Sequence, residues 1–394
     1  MKCLLLLLGL LSSSFAHNHE VLRTFMTGYN EFSADIYREL LKSNSGNFIM
    51  CPLSLDLILT FATCGARGET AAELKTALRL PEDSKDSNAI FKFIASKLQS
   101  GENYTLSNAN KMYVANGFEI SDNFEKISVD VFNAEIENID FSKNQEAARK
   151  INRWVEDKTH NKIKDLIKPD TLTDLTRVVL VNAIYYHGKW VKKFDTKNTM
   201  EYLFFMGQKF VATEMMQLTD NFEYYASSEL QAEFLKLDYE GGDMSMHIVL
   251  PNAQEGLASL EKRITEALIP PKYNFENISV VIPKFKIGTR IEFIPVLKAM
   301  GVKTAFLDSA DFGGIGANQE ELKITQVIQK AFIEVEEQGT TAGAATEEGF
   351  DDRIISNTKR FVADHPFLFY LRFNPLNMNF FVGRFTSPAN AGLH

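Results

Sequence analysis

Residues able to do chemistry in this chain are its histidines, a short glycine pair and one unusual run near the C-terminus. The seven histidines (His17, His19, His160, His187, His247, His365 and His394) have no spacing that would gather ligands on a metal. Gly314-Ile315-Gly316 lacks a third glycine and follows no clear strand, so it does not read as a phosphate loop. No Gly-x-Ser-x-Gly elbow presents a nucleophile. What remains is the stretch from Glu334 to Ile355. It opens as a strand, with Val327–Ile328 and Ala331–Phe332–Ile333 broken by Gln329 and Lys330. From Gly339 to Thr346 it then holds only glycine, threonine and alanine. Such a run buries little apolar area and predicts an exposed loop. Yet Thr340, Ala342, Ala344 and Thr346 alternate, and all are small and uncharged enough to enter a tight slot as a strand. The chemistry suggested is conformational: one segment with two homes.

That run resembles the hinge and reactive loop of the serpins, serine protease inhibitors that insert their cleaved loop into their own central sheet. Other segments share the resemblance. Asn47-Phe-Ile-Met-Cys-Pro-Leu-Ser54 is similar to the start of the family's buried second helix. Val181-Asn-Ala-Ile-Tyr-Tyr-His-Gly-Lys-Trp190 is similar to its central-sheet strand, and Pro283-Lys-Phe285 and Asp364-His-Pro-Phe367 to two further signatures. The resemblance implies one α+β serpin domain over residues 17–394. It implies a central mixed β-sheet, flanking sheets, about nine helices and an exposed loop at about residues 338–356.

It also implies a register. Counting Glu337 as the first residue of the hinge, the seventeenth is Arg353 (353 − 337 + 1 = 17), so Arg353–Ile354 becomes the bait bond. An always-charged Arg suits a trypsin-like pocket with an acid at its base. A hinge able to insert must be small and uncharged, because an unpaired buried charge costs several kcal/mol. Glu337 is followed by Gly339, Thr340, Ala342, Gly343, Ala344 and Ala345, which fit; Glu348, late in the strand, would face inward. Ser54, Asn182, Trp190 and Gln329 are expected to control opening of the sheet. Gln329 stands where the family often has His, and Cys51 where Ser is common.

The expected function is suicide inhibition of a trypsin-like serine protease through a covalent complex. The alternatives are a non-inhibitory carrier or storage serpin, and a cysteine protease inhibitor on the same fold. Glu347, Glu348, Asp351 and Asp352 precede the bait and favour a target with a basic rim. Asp352-Arg353-Ile354-Ile355 also resembles a zymogen activation site, which points to an extracellular cascade such as clotting, melanisation or innate immunity.

The elements that must position this loop read as helices first and strands later. Helical spacing marks Glu20–Leu41, Pro52–Ala66, Thr70–Leu80, Ala89–Leu98 and Glu146–Lys164. β-rich runs mark Lys111–Ala115, Val178–Tyr186, Phe234–Asp238, Met244–Leu250, Ile278–Ile282, Val327–Glu336, Phe367–Phe373 and Phe380–Phe385.

Composition sets the surroundings. The 394 residues are 45% hydrophobic with a net charge of −9, which argues against a nucleic-acid-binding surface. Residues 1–16 read as a secretory signal peptide, with Lys2, the apolar run Cys3–Leu11 and a Ser14-Phe15-Ala16 cleavage pattern. That run is short of the roughly 20 apolar residues needed to span a bilayer. A secreted monomer without cofactor or membrane attachment is expected. Cys51 and Cys64 bracket a helix that holds them roughly 20 Å apart, too far for a bridge, so both read as buried free thiols. Asn103 and Asn277 head glycosylation sequons, Asn103 in a turn and Asn277 at the start of a strand. Arg149, Lys150, Arg153, Lys158, Lys162 and Lys164 form a basic cluster. It reads either as a site for a heparin-like glycosaminoglycan or as a solvated helix face, and Glu146, Glu156 and Asp157 favour the latter.

Overall fold

A computed structural model describes residues 2–81, 84–97, 100–101, 104–316, 322–339 and 358–388. Along the chain, α1 (Lys2–Leu41) leads to β1 (Phe48–Met50), α2 (Pro52–Gly65), α3 (Gly68–Ala77), α4 (Ser84–Lys97) and β2 (Tyr104–Ala115). Then come α5 (Asp122–Phe132), β3 (Glu135–Ile139), α6 (Asn144–Lys158) and β4 (Val178–Gly188). Strands dominate from there: β5 (Met200–Phe205), β6 (Phe210–Ser227), β7 (Ala232–Asp238) and β8 (Met244–Pro251). After α7 (Leu257–Glu261) and α8 (Ile264–Ala267) follow β9 (Asn274–Pro283), β10 (Phe285–Glu292) and α9 (Ile294–Ala299). The last strands are β11 (Ile324–Val335), β12 (Lys359–Val362), β13 (Phe367–Phe373) and β14 (Met378–Phe385). The α+β expectation holds, with nine α-helices among the described residues.

Two sheets organise these elements. One has five strands in the order β10-β11-β4-β2-β3; the other has nine, running β1-β14-β13-β8-β7-β6-β9-β12 with β5 on β6. The main core joins both sheets to α2, whose residues are buried from Pro52 to Thr63. A second, smaller core lies between α6 and the five-stranded sheet. There Ala147, Ile151 and Val155 meet Tyr113, Val181 and Ile328.

Several boundaries differ from expectation. The expected short strand Lys111–Ala115 is the end of a 12-residue strand, because β2 pairs with β4 from Tyr104 onward. The helix expected to reach Lys164 stops at Lys158. There the Thr159 hydroxyl donates to Val155 O (2.7 Å) and accepts from Ile163 N–H (3.2 Å), while His160 and Asn161 take positive φ. The helix expected from Glu20 runs unbroken from Lys2, through leucines that favour helix. No helix among the described residues is long and apolar enough to cross a membrane. Cys51 and Cys64 are both free, but only Cys51 is buried; Cys64, at the end of α2, is half-buried.

Candidate functional site

β11 and β4 lie side by side and parallel, with Gln329 opposite Asn182 and Lys330 opposite Ala183. Their outer neighbours, β10 and β2, pair antiparallel to them. A strand folding back from the end of β11 would run opposite to both seam strands. Seating it there exchanges one parallel ladder for two antiparallel ones, which are slightly stronger per residue. Opening alone loses that ladder, and a strand seated there would return more pairing than was lost.

The chain reverses immediately after β11. Glu336 and Gly339 bond each other through both backbone pairs (3.1 and 3.0 Å), closing a tight turn after β11. The turn is clamped to the chain just beyond β4. Trp190 N–H donates to Gln338 O (3.1 Å), Phe194 N–H to Glu337 O (2.9 Å), and the Trp190 indole to Glu336 O (2.9 Å). Trp190 is held in turn by stacking on Tyr239, with centroids 4.2 Å apart.

Gly339 has φ +109, and a Cβ there would stand 2.6 Å from the Trp190 nitrogen and closer still to Gly188 O. Only glycine fits this turn. The Glu337 side chain is buried and accepts from Thr199 Oγ1 (2.8 Å), with Lys284 Nζ 3.1 Å away. Burial opposes its charge, but these donors and its own backbone N–H prevail and hold its pKa below the usual carboxylate value.

Beneath the seam lies a buried polar network. Gln329 Oε1 accepts from Cys51 N–H (2.8 Å), and its Nε2 donates to Cys51 O (2.9 Å) and Asn182 Oδ1 (2.7 Å). The amide thus mimics a peptide partner for the chain entering α2, where Cys51 is the N-cap. Asn182 Nδ2 donates to Ser54 Oγ and to Asn110 Oδ1 (2.6 Å), and Ser54 Oγ donates to Asn108 Oδ1 (2.6 Å). Burial in this network pushes the Cys51 thiol well up, despite a backbone donor from Ser54, so it stays protonated.

Of the four residues expected to control opening, Ser54, Asn182 and Gln329 meet here, and Gln329 does bond Asn182. Trp190 sits apart, at the head of the seam. The sequence reading missed Asn108 and Asn110, although their alternation in Asn108-Ala109-Asn110 is a polar stripe in a strand. It also missed Thr199 and Lys284 as partners of the hinge.

Thr340, Ala342, Gly343, Ala344, Ala345, Arg353 and Ile354 lie outside the described residues, as does Asn103. Asn277 is exposed on β9. The six basic residues are all exposed. Lys150 pairs with Glu137, Lys158 with Glu135 (2.8 Å), and Lys162 lies 3.9 Å from Glu334. Half of the cluster is thus neutralised by the sheet it covers. Among the described residues no group of acids, histidines and cysteines is placed to hold a metal.

The site is a parallel seam in a five-stranded sheet of an α+β fold, with a tight turn clamped at its head and a buried polar network beneath it. The chain belongs to the serpin family: the family model Serpin (serine protease inhibitor) matches residues 27–388. It is 37% identical to antichymotrypsin-2 of Bombyx mori over 361 residues, covering 88% of this chain and 94% of that protein. It is 36% identical to antitrypsin of the same species over 359 residues, covering 88% and 89%. The crystal structure of Serpin48, a highly specific serpin of the insect Tenebrio molitor, superposes with a TM-score of 0.86 at 39% identity, covering 93% of this chain and 98% of that one. The chain is thus a serine protease inhibitor by family, not an enzyme.

Proposed function

We propose that this serpin is secreted and traps trypsin-like serine proteases that attack Arg353–Ile354. The observation that supports the reading is the turn at Glu336–Gly339, which folds the chain back so that Gly339 pairs with both Glu336 and Lys189 at the head of a parallel seam. In the proposed reaction the protease serine attacks the Arg353 carbonyl. An ester to the enzyme forms, the Arg353–Ile354 amide breaks, and Ile354 leaves as a free amine. The segment from Thr340 onward then enters the seam as a strand and drags the tethered protease before water can release it. The uncleaved form is held by a barrier, not by equilibrium.

Specificity rests on the bait and not on the body of the fold. An antichymotrypsin and an antitrypsin resemble this chain almost equally, at 37% and 36% identity. The acids before Arg353 and the Ile354-Ile355 that follow support a cascade protease as the target. The basic cluster of Arg149, Lys150, Arg153, Lys158, Lys162 and Lys164 reads as a solvated face, with a heparin-like partner as the alternative; retention on heparin resin should vanish at modest salt.

Incubation of the secreted protein with trypsin, followed by a denaturing gel, tests the proposal. A covalent complex and a released fragment beginning at Ile354 are expected. Cleavage there without a complex would favour the carrier or storage reading.

A further inference from the structure

β9 presents an aromatic side chain beside a sequon. Phe275 is the most exposed large apolar side chain among the described residues, at 71%. A lone exposed apolar residue needs no partner; its position is what matters. Side chains alternate along a strand, so Phe275 and Asn277 project from the same face, about 7 Å apart. Asn277 is exposed, while Ile278 between the two sequon ends turns into the core. Asn277-Ile278-Ser279 has the acceptor pattern with a non-proline centre. Ser279 is buried and accepts a bond from Gln217 (3.4 Å), but sugar transfer acts on the chain before the sheet closes.

We propose that Asn277 carries an N-linked glycan whose first sugar lies against the Phe275 ring. The weakly positive C–H face of a sugar complements the negative face of an aromatic ring. The Lys192 ammonium already uses that property, 5.6 Å from the Phe275 centroid and 5.2 Å from that of Phe222. The glycan also stands at a functional border. Lys359 on β12 pairs with Ile278 in a parallel ladder, so Asn277 lies level with Thr358, where the chain returns from the reactive loop. The inference rests on secretion, because N-linked sugars are added on that route.

The test expresses the full chain with its own leader in insect cells and collects it from the medium. Enzymatic removal of the glycan in heavy-oxygen water should convert Asn277 to a mass-tagged Asp in protein whose leader has been cleaved. Phe275→Ala should lower the apparent heat midpoint by roughly 1–2 °C in the glycosylated protein, and by less when combined with Asn277→Gln. An unmodified Asn277 in the secreted protein, or the same Phe275→Ala shift in both backgrounds, would overturn the proposal. A chain that stays inside the cells would instead defeat the secretion reading, and the same protein behind a foreign leader would then decide the glycan.

Discussion

Gln329 and Asn182 are register partners across the parallel seam, and the Gln329 amide donates to Asn182 Oδ1 over 2.7 Å. Any strand entering between β11 and β4 must break that bond. The pair therefore holds the seam closed, and a strand seated there would remove it.

Gln329→Ala would leave the Cys51 N–H, the Cys51 carbonyl and Asn182 Oδ1 without this partner. Unpaired buried groups cost about 1–3 kcal/mol each, so the uncleaved form should lose roughly 3 kcal/mol or more. The loop-cleaved form, with its seam already parted, should lose less. Heat midpoints of both forms at one scan rate check this; equal losses would contradict it.

Glu337 supplies a pH dependence. Its pKa is lowered in the fold, so its contribution is present above the unfolded value, near 4.5, and is lost as pH falls through the folded value. Against Glu337→Gln, the native protein should be more heat-stable at about pH 7, and the two should converge below about pH 4. Comparing the two proteins isolates this group from Glu135 and Glu137, whose pKa values are also lowered.

Asp56 acts in the opposite sense. It lies buried within α2, where burial pushes its carboxyl up to about 8, although Thr60 donates a hydrogen bond (3.2 Å). A raised carboxyl favours the fold below its unfolded value, near 3.8, and that stability is lost as pH rises toward about 8. Asp56→Asn should match the native protein near pH 4 and exceed its heat midpoint by several degrees near pH 8. A constant difference between the two across that range would remove the assignment.

The architecture was legible wherever one residue pattern filled one environment. α2 is apolar on nearly every side and is buried on nearly every side. β4 is a nearly continuous apolar run buried along almost its whole length, and β11 alternates apolar stretches with Gln326, Gln329 and Lys330. β6 was not legible, because Phe210–Ser227 mixes Glu, Gln, Thr and Asp with exposed and buried apolar residues as it passes several neighbours. β10 was hidden by Lys286, Gly288 and Arg290, which face outward or pair with other elements. At the site, Gly339 and Glu337 could be named from the run they open. The Glu337 partners Thr199 and Lys284 stand 138 and 53 positions away (337 − 199, 337 − 284), so no local pattern reveals them.

In the proposed inhibition β11 and β4 part to admit the cleaved loop. Ala183 and Lys330 are register partners on the face toward α6, opposite the polar network. Neighbouring strands lie about 4.8 Å apart, within reach of a disulfide. With Ala183→Cys and Lys330→Cys oxidised to a bridge, trypsin should still cut at Arg353 but form no covalent complex, and reduction should restore the complex. An oxidised variant that traps trypsin as well as the native protein would contradict insertion at this seam.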